Sequence, residues 1–189
     1  VQWMTAGQGI IHSEMPEQLD GMLWGYQLWV NLPSRLKMSR PRYQDIPATD
    51  IPEVRSDAAL VRVIAGDYAD TAGAAETLIP VTYLDVHLIA GSKFVHAVDE
   101  NHNTFSYVHH GALSAADSNG RKINVETGYM AIFGRTGDIH VTAGPAGAKF
   151  LLVSGSRISE PVARMGPFVM NTREELLQAA EDYRRGVLA

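Results

Sequence analysis

The chain has 189 residues, 46% of them apolar and 20% charged, with a net charge of −5 and a pI near 5.8. That length is ample for one large core, and the composition is that of a globular chain rather than a disordered one. The acidic balance argues against an extended nucleic-acid footprint. No apolar run approaches the roughly 20 residues of a membrane span. Cysteine is absent, so disulfides, thiolate catalysis and Cys-based metal sites are excluded. With no secretory signal visible, the composition fits a cytoplasmic protein with no membrane partner.

Residues 1–5 are apolar and β-prone, Gly7 and Gly9 suit a tight turn with close backbone approach, and Gly9-Ile10-Ile11-His12 resumes the apolar run. The chain opens inside an apparent strand without an initiator Met, which reads as a fragment, a processed chain or a truncation. Met15-Pro16-Glu17-Gln18 is expected to end this strand. In His12-Ser13-Glu14 an imidazole and a carboxylate stand two residues apart. On a strand they share one face, where they suit iron, manganese or zinc. A solvent-facing pair on an edge strand is the competing reading.

Leu23-Trp24-Gly25-Tyr26-Gln27-Leu28-Trp29-Val30-Asn31-Leu32-Pro33 is the most β-prone run. The segment 34–42 carries Arg35, Lys37, Arg40 and Arg42 and is expected to be a solvated loop, with an anion or partner patch as the functional alternative. A Pro-rich stretch through Pro52 marks the best domain boundary. Short strands then follow at 59–66, 82–88, 104–111, 113–115, 121–125, 128–133, 140–142 and 148–154. In the strand at 82–88, Tyr83, Asp85 and His87 alternate with Leu84, Val86 and Leu88. Strands at this spacing indicate a sandwich, jelly roll or barrel. Thr172-Arg173-Glu174-Glu175 is a capping box. Leu176, Leu177, Ala180, Tyr183 and Val187 continue it at helical spacing, so a terminal amphipathic helix is expected to dock on the β core.

Among the seven histidines, His96, Glu100 and His140 carry a faint two-part metal-site spacing, but Val98 stands where a paired H-x-H needs its second imidazole. A polar barrel end with satisfied histidines is the simpler reading. His109 and His110 alternate faces, so at most one points inward.

Val1-Gln2-Trp3-Met4-Thr5-Ala6-Gly7 with Gly9-Ile10-Ile11-His12-Ser13-Glu14 resembles the second metal-binding motif of the pirin family. Gln27-Leu28-Trp29-Val30-Asn31-Leu32-Pro33, Tyr43-Gln44 and Gly166-Pro167-Phe168-Val169-Met170-Asn171-Thr172 resemble further pirin landmarks in the same order, over essentially the whole chain. The resemblance implies an all-β, cupin-type bicupin of two double-stranded β-helix (jelly-roll) barrels with a C-terminal α-helix. Residues 1–48 would be the remnant of a first, metal-binding barrel, 49–160 a complete second barrel, and 161–189 a tail with the helix.

By the same resemblance, iron (Fe2+) would be held by three His and one Glu. His12 and Glu14 match two of these metal ligands, with Glu14 also the catalytic candidate, while the family's earlier H-x-H has no counterpart here. Two functional classes follow from the family. One is a quercetin 2,3-dioxygenase acting on a flavonol-like molecule. The other is a redox-regulated, non-enzymatic protein that binds a transcription factor or metabolic enzyme. Two ligands do not enclose iron, so this chain alone is expected to be metal-deficient and weakly active or inactive. Its unpaired strand edges would invite self-association.

Overall fold

The computed structural model describes residues 1–14, 20–135 and 137–188; the expected strand end at Met15-Pro16-Glu17-Gln18 lies outside the described residues. The chain divides into two compact units, one of residues 2–44 with 158–189, the other of Val1 with 45–157. The tail thus shares a unit with the N-terminal segment.

In the first unit, β1 (Gln2–Thr5) leads into a turn in which Gly9 N donates to Ala6 O at 2.9 Å. Gly7 sits at φ +54°, and a Cβ there would meet Ser39 O at 2.0 Å. Only glycine fits that left-handed, backbone-against-backbone position. The short helix α1 (Ser34–Lys37) precedes β2 (Arg42–Asp45), which pairs with β1. Contrary to expectation, the β-prone run 23–33 is not a strand, and Trp24, Tyr26 and Trp29 are largely exposed. β propensity describes fit to a pleated surface with neighbours, and among the described residues no strand pairs with this run.

The cationic segment also departs from a solvated loop. Lys37 is buried, and its Nζ donates to Asn31 Oδ1 at 2.7 Å and to Val169 O at 3.3 Å. Burial holds its pKa below the usual lysine value, against the opposing pull of Glu160 and Glu175.

The second unit contains β3 (Glu53–Arg55), β4 (Ala59–Ala65), β5 (Asp67–Tyr68) and β6 (Thr71–Ala72), β7 (Val81–Leu88), β8 (Lys93–His96), β9 (His102–Ala116), β10 (Lys122–Glu126), β11 (Met130–Ile132) and β12 (Ile139–Ser156); β5 and β6 form a hairpin of their own, and the others form one rolled antiparallel sheet. The strand order is β10-β9-β12-β7-β4-β3, with β11 on β9 and β8 on β12. Segments expected as separate strands merge. β12 runs through 144–147 and pairs with β8 on one side of that break and β7 on the other, while β9 follows it along both halves. Ladder partners on each side carry the strands across their irregular points.

One face of this sheet is the core, including Val61, Val63, Leu84, Val86, Leu88, Phe94, Val108, Phe150 and Leu152. The alternation read in 82–88 holds, with Leu84, Val86 and Leu88 buried and Tyr83, Asp85 and His87 on the opposite, half-buried face.

Beyond it, β13 (Ala163–Met165) and β14 (Phe168–Met170) form a hairpin, and α2 (Arg173–Arg184) closes the first unit. The capping box is present: Glu175 N donates to Thr172 Oγ1 at 3.2 Å and Thr172 N donates to Glu175 Oε2 at 2.9 Å. Gly186, at φ +67°, follows the helix end, so Val187 lies outside it. The helix packs on the β13–β14 hairpin, with Phe168 and Tyr183 edge to face at 6.2 Å. Among the described residues no helix is long and apolar enough to cross a membrane.

Candidate functional site

His12 and Glu14 lie in irregular, exposed chain, not on a strand. Glu14 Oε1 accepts a hydrogen bond from Gln27 Nε2 at 2.9 Å. Neither residue belongs to any group of three or more potential ligands among the described residues. Tight iron sites need more donors, arranged around one point. Within the described residues, His12 and Glu14 do not fit a closed iron centre.

The spacing of His96, Glu100 and His140 does not make a site either. His96 opposes Ile139 and faces the barrel interior, whereas His140 opposes Val95 on the outer face. His96 lies against the rings of Tyr68 and Phe94, and burial holds its pKa below the ordinary histidine value, with Asp138 opposing. It lines a cavity of about 400 Å³ at the barrel end, together with Asp67, Asp99, His102 and Ser154. There His102 bridges Ser154 Oγ at 3.1 Å and Ser156 Oγ at 3.0 Å. His102 is therefore a satisfied barrel-end histidine of the kind expected from the sequence.

The cluster that the structure does assemble was not found from the sequence. Asp85 and His87 on β7 and His109 on β9 bring their ligand atoms within 4.8 Å of one another. β12 lies between these two strands, so the side chains reach across roughly 10 Å of sheet. A β-bulge makes this possible. Val108 opposes Phe150 and His110 opposes Lys149, so His109 is the inserted residue. Such an insertion re-aims a side chain. Gly111 supports it: at φ +71°, a Cβ there would meet Gly147 O at 2.2 Å.

Asp85 Oδ1 lies 3.2 Å from His87 Nε2 and 3.5 Å from His109 Nε2. It is buried and accepts no hydrogen bond among the described residues, because neither contact has hydrogen-bond geometry. The other oxygen, Oδ2, accepts from Arg62 Nη1 at 2.9 Å, and Arg62 Nε donates to Glu53 Oε1 at 3.0 Å. Burial works against the Arg62 charge, yet Asp85 and Glu53 hold its pKa above the usual value. The His87 pKa is lowered, chiefly by burial; Asp85 opposes this, while Arg62, Lys149 and His109 add to it. Two imidazoles and a carboxylate are a donor set that could hold a metal. The sequence signal was Asp85-x-His87, an i, i+2 pair on a well-patterned strand. Its third member needed the bulge and the strand order.

Comparison with known proteins bears on the same segments. The family model described as "Pirin C-terminal cupin domain" matches residues 83–189, and the model described as "Pirin" matches residues 1–30. The chain belongs to the pirin family. Its fold is accordingly a mostly β cupin fold of antiparallel sheets with a C-terminal helix. A Pseudomonas aeruginosa pirin relative, provisionally named a quercetin 2,3-dioxygenase, is 41% identical over 197 residues, which cover 100% of this chain and 67% of that protein. A pirin-like protein of Caulobacter vibrioides is 42% identical over 98% of this chain and 66% of its own length. The crystal structure of quercetin 2,3-dioxygenase from Acinetobacter baumannii superposes with a TM-score of 0.76 at 39% identity, covering 85% of this chain and 55% of that one. The chain thus spans about two thirds of the length of these curated pirin relatives.

Proposed function

We propose that the whole protein is a metal-dependent oxygenase acting on flavonol-like substrates, in which His12 and Glu14 supply two ligands of an iron centre and Glu14 is the catalytic carboxylate. The observation that carries this reading is the match of the family model to residues 1–30, the segment that holds His12-Ser13-Glu14. In this reading residues 1–48 belong to the metal-binding barrel, 49–160 form the second barrel and 161–189 the tail. The described residues alone leave that centre incomplete.

Oxygen uptake with quercetin tests the proposal. A version extended to the length of the relatives and loaded with Fe2+ should consume oxygen, and Glu14→Ala should abolish turnover. No uptake by the iron-loaded protein would refute the oxygenase reading.

A non-enzymatic, protein-binding role is the second reading, supported by the exposed apolar residues Met22, Leu23, Trp24 and Trp29. It predicts a metal-loaded protein without quercetin turnover whose partner capture is lost on Trp24→Ser and Trp29→Ser.

A further inference from the structure

We propose that Asp85, His87 and His109 form a transition-metal site on the outer face of the barrel sheet, separate from His12 and Glu14 and independent of the oxygenase reading. Arg62 Nη1 stands 3.4 Å from His87 Nε2 and, as a donor only, adds positive charge beside that nitrogen. The same nitrogen lies 3.2 Å from Asp85 Oδ1. An imidazole nitrogen thus faces a carboxylate oxygen that is buried and without a hydrogen bond among the described residues. Such a contact needs a proton or a cation between the two atoms. A metal ion satisfies both atoms, and His109 Nε2, 3.5 Å from the same oxygen, supplies a third donor.

The surroundings support this and select the metal. Arg62 occupies Asp85 Oδ2, leaving Oδ1 as the ligand oxygen. The bulge at His109 places its ring on this face. With one carboxylate oxygen, two imidazoles and the cations Arg62 and Lys149 nearby, the site offers little to Ca2+ or Mg2+, which need several oxygens. It suits Zn2+, Ni2+, Co2+ or Fe2+, whose bonds to imidazole nitrogen are strong.

The test is titration of the metal-free 189-residue chain with Zn2+ and Ni2+ against a chromophoric chelator near neutral pH. One ion per chain is expected, unaffected by excess Mg2+ or Ca2+. His109→Ala, which leaves the Arg62–Asp85 pair in place, and Asp85→Asn should each weaken binding tenfold or more. The double variant His12→Ala with Glu14→Ala should keep one ion per chain. Unchanged binding in folded His109→Ala, or no site in the parent chain, overturns the proposal. If a variant does not fold, X-ray absorption of the loaded parent decides. Two imidazole nitrogens per metal support the site, and fewer than two overturn it.

Discussion

Replacing Arg62 by Met should weaken the fold and strengthen metal binding, two effects of opposite sign from one side chain. Arg62 Nη1 lies 3.4 Å from His87 Nε2, and a metal–imidazole bond is about 2.1 Å, which puts a bound ion roughly 5 Å from the guanidinium charge. A divalent ion and a unit charge at about 5 Å repel by about 1.7 kcal/mol at the dielectric of bulk water, and by about 3 kcal/mol at half that value. The Arg62 side chain is 34% exposed, so solvent screening favours the lower figure, which corresponds to an affinity gain on the order of tenfold.

Without Arg62, the half-buried Asp85 loses its hydrogen-bonded counter-charge, which should cost the apo fold about 1–3 kcal/mol. Two assays separate the effects: chelator-competition titration with Zn2+ for the first, and the urea midpoint of the metal-free chain for the second. The affinity gain should shrink at high salt. Binding that is unchanged or weaker in a folded Arg62→Met chain would refute the electrostatic reasoning.

Other expectations follow from the barrel itself. Phe150 is fully buried and meets Phe94 edge to face at 5.7 Å, so Phe150→Ala should destabilise the second unit by about 3–5 kcal/mol, read from urea unfolding. A loss below about 1 kcal/mol would mean that the core does not pack as described. The pKa of His96 is held below the ordinary value, mainly by burial. Between the folded and unfolded pKa values the unfolded chain binds more protons. Its contribution to stability is therefore complete above the ordinary histidine range and is lost as pH falls below about 6.5. Melting temperature should drop on acidification through that window, and His96→Gln should flatten the drop. The groups around His96 are Tyr68, Phe94 and Asp138, with Asp67, Asp99 and His102 on the shared cavity. Identical pH slopes for parent and variant would show that burial of His96 does not matter.

What could be read from residue order was local. The alternation of Leu84, Val86 and Leu88 with Tyr83, Asp85 and His87 determined which face of β7 is buried, because side chains alternate across any strand. The capping box at Thr172 determined where α2 begins, because both of its hydrogen bonds lie within four residues. The motifs around His12 and at 166–172 were enough to place the chain in its family.

Tertiary structure decided what depends on partners distant in the chain. The run 23–33 has strand composition, but a strand exists only with a ladder to join, and the described residues provide none. Lys37 reads as a surface cation, yet Val169, far along the chain, helps bury it. The Asp85, His87 and His109 cluster depends on β9 and β7 flanking β12, and on one inserted residue that shifts the register at His109. Sequence spacing carries no trace of that juxtaposition, since the two strands meet only through the strand between them.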